Sequence, residues 1–206
     1  MLYKDSIEKT FNCPQCGDKL ELHFRWTKLV SCSSCKSSIF LEDDGSFNIG
    51  EQSSLSPEPS LIELHIPITI ENKSYLPLGK IRYSYGRGFW EEWFLTDNQN
   101  QKFWLSIDEG DFVIQEKATI KLPFSNPLSA KVGNKYGGYL VSERGTGKCV
   151  GFEGELPKLI KIGESHFYLH LNVGEGKLIT VEVTAQKTET FVGQWIDPLI
   201  IKRVDR

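Results

Sequence analysis

Apolar and polar positions alternate in short runs along most of the chain. Between Leu61 and Arg206 these runs are separated by Gly, Pro, Asn or Asp. The separations recur about every eight to twelve residues, which is the spacing expected for the strands of a sandwich or barrel. No window shows the period of an amphipathic helix. The pattern therefore predicts an all-β domain of the β-sandwich or barrel type.

The runs group into two antiparallel meanders. The first is predicted at residues 81–85, 89–95, 103–107 and 112–116, and the second at residues 139–143, 149–153, 159–162, 167–171 and 178–185. Glycine or polar turns join consecutive runs, as in hairpins. Both halves place a strand, a glycine turn and a strand in the same order. A duplication is one interpretation, although residue identity between the halves is too low to establish it.

The N-terminal region carries four cysteines in two tight pairs. Cys13 and Cys16 form the first pair and Cys32 and Cys35 the second, with fifteen residues between the pairs. A Cys-x-x-Cys turn directs two sulfurs at one point, and two such turns supply the four thiolates of a closed tetrahedral zinc site. Because four protein ligands leave no position for a substrate, we expect a structural zinc ribbon at residues 1–49.

Iron is the alternative metal for this ribbon. The sequence Cys16-Gly17 resembles a rubredoxin knuckle, but the second pair is followed by Lys36 rather than by glycine, and the segment between the pairs is short for that family. The spacing therefore favours zinc over iron.

Residues 50–60 differ in composition from the segments on either side. They contain two prolines, four serines and one large apolar residue, Leu55, a composition typical of a linker. The sequence thus predicts a zinc ribbon at residues 1–49, a linker at residues 50–60 and a β-rich domain at residues 61–206. Such a linker would let the ribbon and the β-rich domain move independently.

Composition and charge indicate the cellular setting. The 206 residues are 39% hydrophobic and include 24 basic and 27 acidic residues, a formal net charge of −3, so no overall field attracts nucleic acid or anionic lipid. No apolar run after Met1 suggests a signal peptide, and none approaches the length of about 18 residues that a membrane span requires. Cys149 lacks an obvious disulfide partner. We expect a cytoplasmic protein without membrane insertion.

Aromatic and acidic residues cluster in the first meander. Trp90, Trp93 and Trp104 could line a ligand cleft, because tryptophan offers a broad apolar face and one N–H donor. Glu91 and Glu92 lie among these rings, where burial would raise the pKa of a carboxyl group into a range that suits acid–base chemistry. Packing in the core is the simpler interpretation of the rings, although strand alternation places Trp93 and Glu92 on opposite faces.

Two further carboxylates have competing interpretations. Glu155 either collects a cation or backbone N–H groups at a recognition turn, or belongs to a structural corner, since Pro157 fixes its own backbone. For Glu91 and Glu92, a solvated strand face or pairing with Arg82 is the simpler interpretation. Together these residues predict a ligand or partner surface with the members Trp90, Glu92, Trp93, Trp104 and Glu155.

Two histidines and a lone cysteine are candidates for additional sites. His166 and His170 project from one face of a predicted strand, and two such ligands could help to hold a metal. No Asp or Glu completes a shell by spacing, so a solvated edge strand is the simpler interpretation. Cys149 lies in a predicted strand, and no histidine motif accompanies it as it would a catalytic thiol. We expect its side chain to be buried and to pack in the core.

Several short motifs of the β-rich domain resemble a known family. They are GKIRYS, FWEEWFL, WLS, GELP, IGE and GQW, beginning at residues 79, 89, 104, 154, 162 and 193. In this order they resemble a bacterial domain-of-unknown-function family, forty-one seventy-eight. The resemblance implies this architecture, an N-terminal cysteine ribbon, and a bacterial, intracellular setting with genes of membrane stress nearby. It implies no established reaction.

These features predict a non-enzymatic zinc-binding protein that acts as a protein-binding or assembly component in a bacterial stress-related system. One alternative is a nucleic-acid-binding regulator that uses the ribbon. It requires basic side chains such as Lys28, Lys36, Arg82 and Arg87 on one face, whereas residues 1–50 hold six basic and seven acidic residues. The other alternative is an enzyme with an aromatic-lined carboxylate site, which requires a deep pocket containing two polar groups of perturbed pKa.

Overall fold

A computed structural model of the chain describes residues 6–42 and 47–204. Within these residues the chain forms sixteen β-strands and two short 3-10 helices. The strands are β1 (Ser6–Asn12), β2 (Lys19–Phe24), β3 (Leu29–Ser31), β4 (Ser37–Leu41), β5 (Phe47–Gln52), β6 (Ile68–Ile70), β7 (Lys73–Ser84), β8 (Phe89–Asp97), β9 (Lys102–Asp108), β10 (Asp111–Lys117), β11 (Lys135–Tyr136), β12 (Tyr139–Leu156), β13 (Ser165–Gly174), β14 (Lys177–Val183), β15 (Thr188–Ile196) and β16 (Ile201–Arg203). The helices are Pro127–Ser129 and Pro198–Ile200.

Eight of the strands close into an antiparallel barrel. Their order around the barrel is β7-β8-β9-β10-β15-β14-β13-β12, and β12 pairs back with β7. The all-β class is confirmed, and the closure shows that the fold is a barrel of two antiparallel meanders. The second meander differs from the prediction, because residues 139–143 and 149–153 belong to one continuous strand, β12, and residues 159–162 form no strand. The first strands of the two meanders, β7 and β12, pair with each other, and so do their last strands, β10 and β15. The strand connectivity therefore has a two-fold pattern, which is what a duplication would produce.

Alternation along each strand divides its side chains between the inside and the outside of the barrel. On β8, Glu92 and Phe94 point inward, whereas Trp93 and Leu95 pack outside the wall. This is the division that the sequence pattern predicted. The same alternation on β13 turns His166 into the barrel.

Apolar clusters lie outside the wall of each meander. The first cluster is covered by β6 and by the segment before it, and includes Ile62, Ile68, Ile70, Trp93, Leu95, Leu105 and Ile114. The second is covered by the connection between β10 and β12, and includes Ala130, Val141, Leu169, Leu171, Ile179 and Val181. Burying these outward faces provides hydrophobic stabilisation that does not depend on an apolar barrel interior.

The strands β1–β5, called the ribbon below, form two small sheets. β1 and β2 make a hairpin of their own, while β3, β4 and β5 form a sheet that continues from the end of β12. In that junction Val30 pairs with Glu155 and Leu29 with Leu156. The ribbon sheet is therefore hydrogen-bonded to a strand of the barrel.

Ribbon side chains close one end of the barrel. Phe24 and Leu29 are buried in the same cluster as Leu156 and Phe94 of the barrel. The ring of Trp26 meets Phe94 edge to face, with 5.2 Å between ring centroids. Since aromatic pairs of this geometry are favourable beyond the area that they bury, the ribbon and the barrel share one core.

The Glu155 carboxylate anchors the ribbon to the barrel. It accepts hydrogen bonds from the His23 backbone N–H at 3.1 and 3.2 Å and from the Thr27 hydroxyl at 2.7 Å, and it lies 2.5 Å from Nδ1 of His23. The hydrogen bond between the His23 ring and the Glu155 carboxylate raises the pKa of His23. Glu155 is only 2% exposed, so the structure places this member of the predicted ligand or partner surface in an internal junction.

The predicted linker lies along the barrel wall. Its first three residues belong to β5. Ser53 is buried, and its hydroxyl donates to the Phe152 carbonyl and accepts from the Phe152 N–H, both at 2.6 Å. Arg82 donates to the Ser56 carbonyl at 3.1 Å. These contacts fix residues 53–56 against the barrel, while the division of the chain into three parts stays a prediction.

Replacing Glu155 with glutamine tests the anchor. Glu155→Gln should lower the free energy of unfolding by about 1–3 kcal/mol, because an amide cannot accept from all of the donors that now face the carboxylate. Urea denaturation measures this change, and amide exchange should accelerate at His23 and Thr27 before it does so in the barrel strands. The control Glu51→Gln, at an exposed position of β5, should change stability little. Equal losses in the two variants would contradict the anchoring role.

Candidate functional site

The four cysteines converge on one point of the ribbon. The Sγ atoms of Cys13 and Cys35 are 3.7 Å apart, as are those of Cys16 and Cys32, and all four sulfurs lie within 4.8 Å of one another. Four thiolates at the Zn–S distance of a tetrahedral site would be about 3.8 Å apart. The predicted ligand set is thus brought together as a candidate metal site.

Equivalent turns position the two pairs. The Gly17 N–H donates to the Cys13 carbonyl at 2.8 Å, and the Lys36 N–H donates to the Cys32 carbonyl at 3.0 Å. Gly17 and Lys36 both take the left-handed backbone conformation, with φ of 80° and 62°, which is costly for lysine. The two knuckles therefore have the same backbone form. Lysine in place of glycine at position 36, which from the sequence alone favours zinc over iron, does not change the backbone of the second knuckle.

The predicted aromatic and acidic surface is divided among three places. Trp90, Glu92 and Trp104 point into the barrel, and Trp90 and Glu92 line its cavity. Trp93 lies outside the wall, where its indole N–H donates to Glu91 at 3.0 Å. Glu155 lies in the ribbon junction. The structure therefore brings together only the inward members of this set.

Glu91 forms the ion pair with Arg82 that the sequence suggested. The Nη2 and Nε atoms of Arg82 donate to Glu91 Oε1 at 2.6 and 3.1 Å, and both residues are buried. Lys80 lies 3.6 Å from the same oxygen. Arg82 is therefore occupied within the wall and is not presented to phosphate groups.

The barrel cavity also contains polar residues that sequence reasoning did not connect with Glu92. Its volume is ≈ 90 Å³. Residues from β10, β13 and β14 line it together with Trp90 and Glu92, namely Gln115, His166, Tyr168, His170, Thr180 and Glu182. The sequence did contain a signal for these residues. On β13 and β14, polar residues occupy every second position and apolar residues occupy the other face.

Glycines in β12 make room for the cavity rings. A Cβ atom at Gly147 would lie 2.1 Å from the ring of Trp90, and one at Gly145 would lie 2.7 Å from the Tyr168 hydroxyl. Such separations are far below van der Waals contact, so only glycine lets these rings lie against the backbone.

Glu92 and Glu182 are buried carboxylates that face the same cavity. The Trp90 indole N–H donates to Glu92 at 3.3 Å. Burial, with the Glu182 charge as the next cause, raises the pKa of Glu92 to about 7. Lys158 offsets part of this effect, and its Nζ atom lies 3.8 Å from Glu182. A carboxyl group with this pKa can exchange a proton near neutral pH.

His166 is a buried residue of the cavity and not part of a solvated edge. Its ring meets Tyr83 edge to face at 4.6 Å between centroids, and burial lowers the pKa of the imidazole. The edge-strand interpretation was wrong because β13 is paired on both sides, with β12 and β14. This pairing could not be read from the local pattern.

The mouth of the barrel is acidic. Glu143 accepts from the Tyr168 hydroxyl at 2.8 Å and lies 3.1 Å from Nδ1 of His170, and the hydrogen bond with His170 lowers the pKa of Glu143. Asp108 lies at the same end, where burial and neighbouring carboxylates, Glu143 first among them, raise its pKa.

Cys149 is buried in β12 as expected. Burial raises the pKa of its thiol to about 11, so little reactive thiolate is present at neutral pH. This environment disfavours a nucleophilic role.

The β-rich part of the chain matches one known family. Residues 66–198 match the family described as Domain of unknown function (DUF4178). The match covers more than half of the 206 residues, and the chain belongs to this family. No curated protein and no solved structure matches the chain. Among the described residues, no helix is long and apolar enough to cross a membrane.

A Glu92→Gln variant should become more stable relative to the native chain as pH rises. Because the folded-state pKa is raised from 4.5 to about 7, the stability contributed by the proton on Glu92 is fully present below 4.5 and is lost as pH rises through about 7. Glutamine keeps the shape without ionising. The difference in unfolding free energy should grow by up to about 1.4 kcal/mol per pH unit across this interval.

Urea denaturation at a series of pH values between about 5 and 8 measures this difference. Glu116→Gln, at an exposed position of β10, is the matched control and should give a nearly constant difference. A constant difference for Glu92→Gln as well would show that Glu92 is ionised throughout the interval.

Proposed function

We propose that this chain is a non-enzymatic zinc-binding protein that acts as a protein-binding or assembly component. The observation that carries the proposal is the convergence of four cysteine sulfurs within 4.8 Å. Four thiolates complete a tetrahedral shell and leave no position open for a substrate, which is the arrangement of structural zinc sites. The ion would therefore support folding, not chemistry.

The location of the cysteines explains what the ion would stabilise. Cys13 and Cys16 lie between β1 and β2, whereas Cys32 and Cys35 lie between β3 and β4. An ion held by both pairs joins the isolated hairpin to the sheet that continues from β12. Since so small a unit buries little apolar surface, metal binding supplies a large share of its folding free energy.

Metal analysis tests the zinc part of the proposal. Native protein purified under reducing conditions should contain about one zinc ion per chain, and Cys13→Ser combined with Cys16→Ser should contain none. Elemental analysis measures the stoichiometry. The doubly substituted chain should also lose amide protection in the ribbon strands. Cys149→Ser is the control, because its thiol lies outside the cluster, and it should retain the ion.

Two results would overturn this assignment. Native protein without stoichiometric metal would remove the site, and stoichiometric iron would replace zinc as its ion. Loss of metal from Cys149→Ser would show that unfolding, and not ligand removal, accounts for the effect of the paired substitutions.

The protein-binding part is supported by the exposed edge of the ribbon sheet. Among the described strands, β5 pairs only with β4, and the side chains of Phe47 and Ile49 on it are 36% and 45% exposed. An unpaired strand edge with apolar side chains can accept an extended segment of another protein as an additional strand. We therefore expect a protein partner that supplies such a segment.

Binding of the partner should depend on this edge. Proteins retained by the native chain from its host would be purified and titrated against it. Ile49→Lys should weaken binding by about tenfold or more. The control Val192→Lys, at an exposed position of β15, should bind as the native chain does. Equal binding by both variants would exclude the β5 edge, and equal binding by the chain lacking Cys13 and Cys16 would exclude the ribbon.

An acid–base enzyme is the second candidate function. The specific observation in its favour is a cavity that contains two groups with perturbed pKa values, Glu92 and His166. The nucleic-acid alternative has less support, because Arg82, one of its required cations, is engaged in a buried ion pair.

A further inference from the structure

We propose that the barrel cavity binds a small organic cation that carries N–H donors, of the primary ammonium or guanidinium class. The site consists of Glu92, Gln115, Thr180 and Glu182 inside the barrel and Asp108 at its mouth. This inference goes beyond the proposed structural role of zinc and does not depend on it.

The first argument is that polar atoms facing the cavity lack partners. Among the described residues, the buried atoms Gln115 Oε1, Thr180 Oγ1 and Asp108 Oδ1 have no hydrogen-bond partner, and all three residues line the cavity. Gln115 and Thr180 are only 5% and 4% exposed. Because buried polar groups are nearly always hydrogen-bonded, the site is complete only when something polar occupies it. Two of the three atoms are acceptors only, so the occupant must donate.

The second argument is charge. Five carboxylates line the cavity and its mouth, those of Glu92, Glu182, Asp108, Asp111 and Glu143. The cations nearby are the Lys158 ammonium, 3.8 Å from Glu182, and His170 when protonated, 3.1 Å from Glu143. Burial disfavours a charge on His166. Acidic groups therefore outnumber basic ones, which attracts a cation into the barrel and opposes an anion.

The third argument concerns the kind of cation. The only cluster of metal-ligating atoms among the described residues is that of the four cysteines, so the cavity carboxylates do not converge as a metal site does. Trp90 and Tyr168 wall the cavity with aromatic rings, and such rings favour organic cations. A volume of ≈ 90 Å³ is well below the size of a drug-like pocket and suits a head group of a few heavy atoms.

The native chain is titrated at constant ionic strength with three salts, two chlorides of organic cations and one sodium salt of an organic anion. The probes are methylammonium, tetramethylammonium and acetate, and binding is followed by calorimetry and by the thermal midpoint. Methylammonium should bind saturably and raise the midpoint. Tetramethylammonium has the charge but no N–H donor and should bind at least tenfold more weakly, while acetate should not bind.

Thr180→Val provides the matched test of the unpartnered hydroxyl. Valine has the same shape and needs no partner, so this variant should have a higher thermal midpoint than the native chain without ligand, and it should bind methylammonium at least severalfold more weakly. Thr146→Val, at an exposed position of β12, should bind as the native chain does. If Thr180→Val does not fold, Gln115→Met replaces it, with the same expectation for binding.

Three results would overturn the proposal. Equal effects of methylammonium and tetramethylammonium would indicate a general salt effect. Binding of acetate in preference to the cations would reverse the charge argument. Methylammonium binding that Thr180→Val leaves unchanged would place the bound cation outside the cavity. These outcomes are measured as binding of the three probes, whereas the test of zinc measures metal content, so failure of one proposal is distinguishable from failure of the other.

Discussion

Pairing of β12 with β7 closes the barrel, and the other features of the molecule depend on this closure. Once the sheet is closed, every strand of the barrel has a barrel neighbour on each side, and the register of each pair fixes which side chains face inward. Tyr83 faces Trp90 across one pair, and Tyr168 faces Glu182 across another. Residues that are distant in the chain therefore share one cavity.

Closure also permits the unusual distribution of polar groups. A barrel whose outer face is exposed to solvent places its apolar residues inside. Here Leu169 and Val181 point outward instead, and the connection between β10 and β12 covers them. On the opposite side, β6 covers Leu105. Because these covering segments bury the outer faces, the middle of the interior can hold carboxylates and imidazoles that have a function instead of a packing role.

The sequence was most informative where the chemistry is local. Two Cys-x-x-Cys turns predicted the cysteine cluster, and alternation on β8 predicted that Trp93 and Glu92 face opposite ways. The sequence did not predict contacts between residues of distant segments. Glu182 lies 90 residues after Glu92 in the chain, and no spacing rule joins them before the pairing of β10 with β15 and of β12 with β7 is known. The same holds for Glu155, whose partners His23 and Thr27 belong to the ribbon.

The ribbon and the cavity are linked through the end of the barrel that the ribbon closes. Glu182 and His166 line the polar cavity and also a cleft on its other side, which includes Lys28 and Leu41 of the ribbon. If the ribbon separated from β12, water would reach Glu182 from that side, and the burial that raises the pKa of Glu92 would decrease. A structural metal in the ribbon would thus keep water away from carboxylates that it does not touch. This dependence gives a physical reason for joining a four-cysteine ribbon to a barrel with a polar interior.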